Sequence, residues 1–168
     1  MQPSVIEYLR THTFQQLEDD HGVCSRTNSL HDKVGLNYDQ IMCKSGDVIA
    51  EQCRGLVVRP SFPLEGDWKN RVVGDAVVIA WPMNRFYNHG DAHAATVDWS
   101  DESLQIFEKL DGTMIVLYWD EKHGRWHAGT RSVPEADLPI RPDHMEIGNS
   151  TFSDLFFRAF EETCLRVD

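Results

Sequence analysis

Lys109 stands in Glu108-Lys109-Leu110-Asp111-Gly112-Thr113, a Lys-x-Asp-Gly sequence that runs straight into Met114-Ile115-Val116-Leu117-Tyr118-Trp119. A lysine held at a tight bend in front of an apolar strand can act as a nucleophile toward a nucleotide α-phosphate. An amine attacks phosphorus only when deprotonated, a state that burial or a neighbouring cation favours. The glycine allows backbone angles that a side chain forbids and lets a phosphate approach closely. A four-residue pattern is short enough to recur by chance, and by itself it reads more readily as a β-turn with an exposed lysine.

Two upstream segments make the pattern specific. The first is Glu51-Gln52-Cys53-Arg54-Gly55-Leu56-Val57-Val58, and the second is Ala80-Trp81-Pro82-Met83-Asn84-Arg85-Phe86-Tyr87-Asn88. With the Lys109 segment they stand in the order found in ATP-dependent RNA ligases of the phage tRNA-repair type, which the chain resembles from about residue 45 to 135. Those enzymes carry a Cys-Arg-Gly-apolar strand, then Pro-Met-x-Lys-Phe-Phe-Asn, then Lys-x-Asp-Gly-Ser. The last element is shared with DNA ligases and mRNA capping enzymes, whereas the two upstream ones are not.

The resemblance implies a lysyl-AMP intermediate on Lys109, formed from ATP with Mg²⁺ or Mn²⁺. It implies RNA ends bearing a 5′-phosphate and a 3′-hydroxyl as substrates, in RNA repair. Asp111 and Gly112 match the turn that places the nucleophile. Arg54 matches an arginine used near the ATP phosphates. Arg85 falls where the family usually has lysine, which keeps the charge but replaces a point charge by a planar fork. Tyr87 falls on a family aromatic. Arg131, in Ala128-Gly129-Thr130-Arg131-Ser132, matches a basic residue of a Ser-Lys-Gly-Ser segment whose following glycine is missing here. Glu108 is placed to face adenine through its backbone. The bland readings of Arg54, Tyr87 and Arg131 are a strand-end arginine, a core aromatic and a surface arginine.

The family pattern continues with a Phe-Glu-Leu strand, a second acidic motif for metal and a Lys-x-Lys motif, none of which this sequence contains. Phe160-Glu161-Glu162 falls inside a helical repeat and does not replace the glutamate strand. Two readings of different classes follow. One is an RNA ligase lacking its downstream motifs and completed by a partner polypeptide or by lost sequence. The other is a non-catalytic nucleotide-fold module. A capping-type or DNA-ligase relative is a weaker third. An incomplete sheet is also expected to leave edges and apolar faces that drive self-association or recruit a partner.

Composition sets bounds on these readings. A chain of 168 residues is expected to be a single domain, here a partial nucleotidyltransferase domain over 1–168, and 41% hydrophobic residues suit a globular core. No apolar run reaches membrane-spanning length, and the N-terminus shows no signal peptide, so a cytoplasmic protein is expected. Net charge is −11, whereas proteins that grip RNA phosphates usually present a basic surface. Any RNA contact must therefore be a local patch or come from outside the chain. The four cysteines lack a Cys-x-x-Cys pairing and read as free thiols, with Cys53 expected in a buried strand. The pairs His89/His93 and His123/His127 have i, i+4 spacing, but they fall in a loop and around a hairpin turn, so no metal ligands are assigned.

The elements that must position these residues are predicted as follows. Ser4 to Asp20 reads as one helix, with Ser4 and Glu7 as a capping box, Ile6, Leu9 and Leu17 as its apolar stripe and Gly22 as its stop. A short strand is expected around Val34 to Tyr38. Arg54 to Arg59 reads as a strand ended by Pro60. Val72 to Trp81 is a long strand interrupted at Gly74-Asp75. Leu104 to Lys109 and Thr113 to Trp119 are strands joined through Asp111-Gly112. Asp120 to Gly124 is a hairpin turn, and Arg125 to Thr130 is the return strand. A polar link over Val133 to Pro142 leads to an amphipathic helix, Phe152 to Val167, capped by Thr151 and Asp154. Strands without regularly alternating helices give an α+β domain built on antiparallel sheet. This agrees with the ligase- and capping-enzyme-like nucleotidyltransferase fold that the resemblance implies, incomplete at its C-terminal side.

Overall fold

A computed structural model describes residues 2–137 and 150–163 of the chain. The helices are α1 (Ser4–Leu9), α2 (Phe14–His21), α3 (Val48–Gln52) and α4 (Phe152–Glu162). The strands are β1 (Val23–Thr27), β2 (Val34–Tyr38), β3 (Arg54–Pro60), β4 (Ala76–Ala80), β5 (Ile115–Asp120) and β6 (Arg125–Thr130). The fold is α+β, and every strand pair is antiparallel. One sheet runs β1-β2-β3-β4, and β5-β6 forms a separate hairpin. No helix among the described residues is long and apolar enough to cross a membrane.

The period-2 alternation of β3 explains the layering. Leu56 and Val58 face the main core, where they meet Val5, Ile6, Leu9, Phe14 and Leu17 from the first two helices. Val57 points to the other face and packs with Val116 and Tyr118 of β5. The four-stranded sheet is thus covered by helices on one face and by the hairpin on the other. Gly55 belongs to the hairpin face. It lies at φ 82°, and a Cβ there would come within 3.2 Å of Met114 Cε. Gly35 and Gly129 clear a path for the chain after β6, since a Cβ on either would meet Pro134 at 2.9 Å or less. That segment is pinned by Ala136 N–H donating to Ala128 O at 2.8 Å and by the Tyr118 hydroxyl donating to Pro134 O at 2.5 Å.

Several predicted elements change. The opening helix is two helices, broken at 10–13, and the capping box is Thr13 with Gln16; Pro3 precedes α1 with no side-chain cap. The break lets Thr13 form a bridge to Val72, a tertiary contact that local propensity does not encode. Gly22 does stop α2, in the left-handed conformation at φ 61°. Strand β1 and helix α3 have no counterpart among the predicted elements. The strand expected from Val72 shortens to β4, because Val72 pairs with Thr13 and Gly74 turns at φ 66°. Leu104 to Lys109 is not a strand: it has no ladder partner among the described residues, and Ile106 and Phe107 are exposed. Strand β5 begins at Ile115 and extends through Asp120. Cys53 is fully buried but caps α3 instead of lying in a strand. Cys24, Cys43 and Cys53 are free thiols, and Cys164 lies outside the described residues. The Thr151–Asp154 capping box of α4 is formed, and the predicted continuation to Val167 also lies outside the described residues.

Candidate functional site

The chain from Trp81 to His89 leaves β4 without regular structure, so its side chains depend on side-chain anchors. Glu51 on α3 provides two. Its backbone carbonyl accepts from Arg85 N–H at 2.7 Å, and its carboxylate accepts from the Tyr87 hydroxyl at 2.6 Å. Gly46 N–H donates to the same Tyr87 oxygen at 3.0 Å. Desolvation first, and then the Glu51 carboxylate, push the Tyr87 phenol above its ordinary value.

These anchors deliver Arg85 onto Tyr38, the last residue of β2. The guanidinium carbon of Arg85 is 4.8 Å from the Tyr38 ring centroid and 4.9 Å from that of Tyr87, within cation–π range. Arg85 also donates to Cys43 Sγ at 2.9 Å. Burial raises the Cys43 thiol despite that cation, so the sulfur stays protonated. Arg131, just after β6, places its guanidinium carbon 5.5 Å from the same Tyr38 ring. Arg54, the first residue of β3, stacks 4.9 Å over Phe86 and donates to Met114 Sδ at 3.2 Å.

Arg54, Arg85, Tyr87 and Arg131 are therefore brought into one neighbourhood by Tyr38, Phe86 and Glu51. None of the three arginines forms an ion pair among the described residues, although the chain carries a net charge of −11. Aromatic faces hold the cations without neutralising them, which leaves guanidinium forks free for phosphate oxygens. A cavity of about 360 Å³ opens beside Arg85, Phe86 and Tyr87 and is closed by Glu51, His89 and His93. Its size lies within the range of small-molecule sites.

The Lys109 segment is placed differently. Glu108, Lys109, Asp111 and Gly112 are exposed and belong to no strand. Lys109 Nζ donates to Asp111 Oδ1 at 2.8 Å, with the two side chains 75% and 92% accessible. Gly112 lies in open space. The segment is tethered through Met114, the residue that Arg54 touches. Five residues bound the Lys109–Met114 Cα separation at about 18 Å.

Sequence reasoning missed two features of this region. Tyr38 is the shared platform for Arg85 and Arg131, and its only signal was its place at the end of an expected strand. Glu51 is the anchor of the second motif, and its proximity to Tyr87 becomes visible only after folding.

A second polar centre was also missed, beneath the hairpin. Lys33 is fully buried and pairs with Asp120 at 2.6 Å and with Glu135. Arg59 donates to Asp120 at 2.8 Å, and His123 Nδ1 lies 3.1 Å from it. Asp120, His123 and His127 bring three ligating atoms within 4.8 Å of one another. However, Lys33 and Arg59 already occupy the Asp120 oxygen. Two fixed cations there oppose a third, so the donor set does not fit a metal ion. Burial raises the Asp120 carboxyl, but the hydrogen bonds from Lys33 and Arg59 outweigh this and hold it far below the usual carboxylate range.

No family model matches the chain. The chain is similar to an Autographa californica nuclear polyhedrosis virus protein whose name gives it as a candidate bifunctional polynucleotide kinase/RNA ligase. The two are 25% identical over 156 residues, covering 88% of this chain and 19% of that protein. It is also similar to a Rhodothermus phage RM378 protein named RNA ligase, 25% identical over 142 residues, covering 71% of this chain and 29% of that protein. The chain thus spans less than a third of either relative's length. No solved structure matches it.

Proposed function

We propose that the chain carries the adenylyl-transfer part of an ATP-dependent RNA ligase, on a nucleotidyltransferase-type fold. The observation that carries this reading is the cluster of three arginines without carboxylate partners, built from the two motifs upstream of Lys109 and from Arg131. The similarity to two proteins named for RNA ligation supports it.

In this reading Lys109 Nζ gives up its proton and its contact with Asp111. Its lone pair then attacks the α-phosphorus of ATP. A nitrogen–phosphorus bond forms, the bond to the bridging oxygen breaks, and pyrophosphate leaves. A 5′-phosphate oxygen of RNA next attacks the same phosphorus and releases the lysine. The 3′-hydroxyl of a second RNA end then attacks the activated 5′-phosphorus, and AMP leaves. Arg54, Arg85 and Arg131 supply positive charge to phosphate oxygens, the dominant requirement of phosphoryl transfer. Tyr87 positions Arg85 through Glu51, and Glu108 and Asp111 frame the nucleophile.

Mg²⁺ or Mn²⁺ would neutralise phosphate charge when bound. Among the described residues the arginine cluster presents no set of carboxylates to hold such an ion: Glu51 accepts from Tyr87, and the Asp120 group is filled by cations. No step above is routed through the metal.

One observation favours the alternative of a non-catalytic nucleotide-fold module. Lys109 is exposed and paired to Asp111 on a segment without ladder hydrogen bonds. Incubation with α-labelled ATP and Mg²⁺ or Mn²⁺, followed by denaturing electrophoresis, decides between the two. Label is expected on the wild type and on Lys122→Ala and absent from Lys109→Ala. An unlabelled wild type would favour the binding module, and label persisting in Lys109→Ala would remove the assigned nucleophile.

A further inference from the structure

On the β1–β2 side of Tyr38 lies a second cavity, of about 300 Å³, lined by Arg26 of β1, Asn37 of β2, and Arg131 and Ser132. Three observations single it out. Arg26 forms no ion pair or side-chain hydrogen bond among the described residues, and neither does Arg131. Two unneutralised arginines thus line one hollow of a strongly acidic chain. Asn37 is only 8% exposed, and its Oδ1 has no hydrogen-bond partner. A buried carbonyl oxygen left unpaired costs stability, and in folded proteins such groups normally find a donor. The ladder between β2 and β3 is irregular between Leu36 and Asn37. Bulges of this kind re-aim side chains and concentrate near functional sites. The lining carboxylate, Asp39, is partly engaged: its Oδ1 accepts from Ile41 N–H and Met42 N–H at 2.8 and 3.0 Å, and it forms no ion pair with either arginine among the described residues.

We infer that this cavity binds the phosphorylated terminal nucleotide of an RNA strand, with the phosphate between Arg26 and Arg131 and a ribose hydroxyl bonded to the Asn37 side-chain amide. The inference rests on the RNA-ligase reading and supplies it with a place for the strand. Two guanidinium forks suit phosphate oxygens. The Asn37 side-chain amide has no hydrogen-bond partner among the described residues, and the 2′-hydroxyl, both donor and acceptor, is the group by which proteins tell RNA from DNA. Arg131 borders both this cavity and the Tyr38 platform that Arg85 shares. A strand end held here would therefore lie beside the cations assigned to ATP.

ATP also carries phosphates and ribose hydroxyls, so the test must separate the two sources. The whole chain is titrated, without ATP, into short fluorescent single strands: 5′-phosphorylated RNA, 5′-hydroxyl RNA and 5′-phosphorylated DNA. Anisotropy is read, and labelling by α-labelled ATP is measured in parallel. The phosphorylated RNA should bind best. Arg26→Ala, an exposed substitution, should weaken it about tenfold, the usual effect of losing one charge-assisted hydrogen bond, and narrow its margin over 5′-hydroxyl RNA, with Arg131 still in place. Asn37→Ala should narrow the difference between RNA and DNA. ATP labelling should be unchanged in Arg26→Ala. Phosphate preference undiminished in Arg26→Ala, or no RNA binding by the wild type, would overturn the inference. So would loss confined to ATP labelling, which would assign the cavity to ATP. Phosphate-dependent RNA binding that is weakened in Arg26→Ala, with a wild type that takes no label from ATP, would support the cavity and overturn the ligase reading alone.

Discussion

Lys33 Nζ and Asp120 Oδ2 are 2.6 Å apart with neither side chain reaching solvent, joined across 87 residues of sequence. The pair binds the start of β2 to the end of β5 and so locks the hairpin, with Met114 at its entry, onto the sheet that presents Arg54. Removing Lys33 takes a cation from two buried carboxylates, Asp120 and Glu135, and leaves Arg59 on Asp120, at a cost of about 3 kcal/mol. Lys33→Met should therefore lower the urea midpoint sharply with little change in slope. A loss within about 0.5 kcal/mol, the range of an ordinary surface substitution, would show that the ion pair does not hold the hairpin.

The same centre makes stability depend on pH. Burial, and next the charge of Lys33, push the His127 imidazole below its ordinary value, against the pull of Glu135 and Asp120. The folded state therefore holds His127 neutral where the unfolded chain would protonate it. Its contribution is full above the unfolded value near 6.5 and is lost as pH falls through the lower folded value. Asp120, depressed by Lys33 and Arg59, contributes in the same sense but is lost only at much lower pH. Thermal melts should show stability falling as pH drops from about 7 to 5, and His127→Gln should flatten that slope. An equally steep slope in His127→Gln would assign the effect elsewhere.

Gly55 carries the approach of β3 to the hairpin. At φ 82°, with Met114 Cε 3.2 Å and Val116 Cγ2 3.3 Å from an added Cβ, alanine is strained twice over. The left-handed backbone alone costs about 1–2 kcal/mol. Gly55→Ala should destabilise by at least that much and should weaken ATP labelling, because it shifts both Arg54 and Met114. A melting temperature equal to that of the wild type would show that the backbone relaxes freely at this point.

Trp119 and Trp126 form an edge-to-face pair on the outer face of the hairpin, with centroids 5.7 Å apart and each about half exposed. Beside them, Leu117, Phe157 and Phe160 line a small apolar hollow. A two-stranded hairpin with open edges and an aromatic face is a surface that seeks cover. The negative charge opposes association only over a Debye length of about 8 Å at physiological salt. Light scattering at moderate salt should report a dimer or larger species, reduced by Trp119→Ser with Trp126→Ser. A monodisperse wild-type monomer would show that this face needs no partner.

What the sequence determined by itself was whatever local chemistry or short-period patterning encodes. The run Arg54–Pro60 is a strand because β-branched and apolar residues favour a pleated, half-buried surface. Gly22 and the Thr151–Asp154 box end and start helices through backbone hydrogen bonds only a few residues long. Motif order likewise singled out Arg54, Arg85, Tyr87 and Arg131 before any contact among them was visible. Tertiary structure alone decided the rest, because those outcomes depend on partners distant in sequence. Leu104 to Lys109 has strand-like composition but, among the described residues, no neighbouring strand to complete its hydrogen bonds, so it stays irregular. Lys33 has no local mark of burial, because its counter-charges come from Asp120 and Glu135. Tyr38 becomes the centre of the candidate site only because Arg85 and Arg131 reach it from chain segments 47 and 93 residues away, a convergence set by packing.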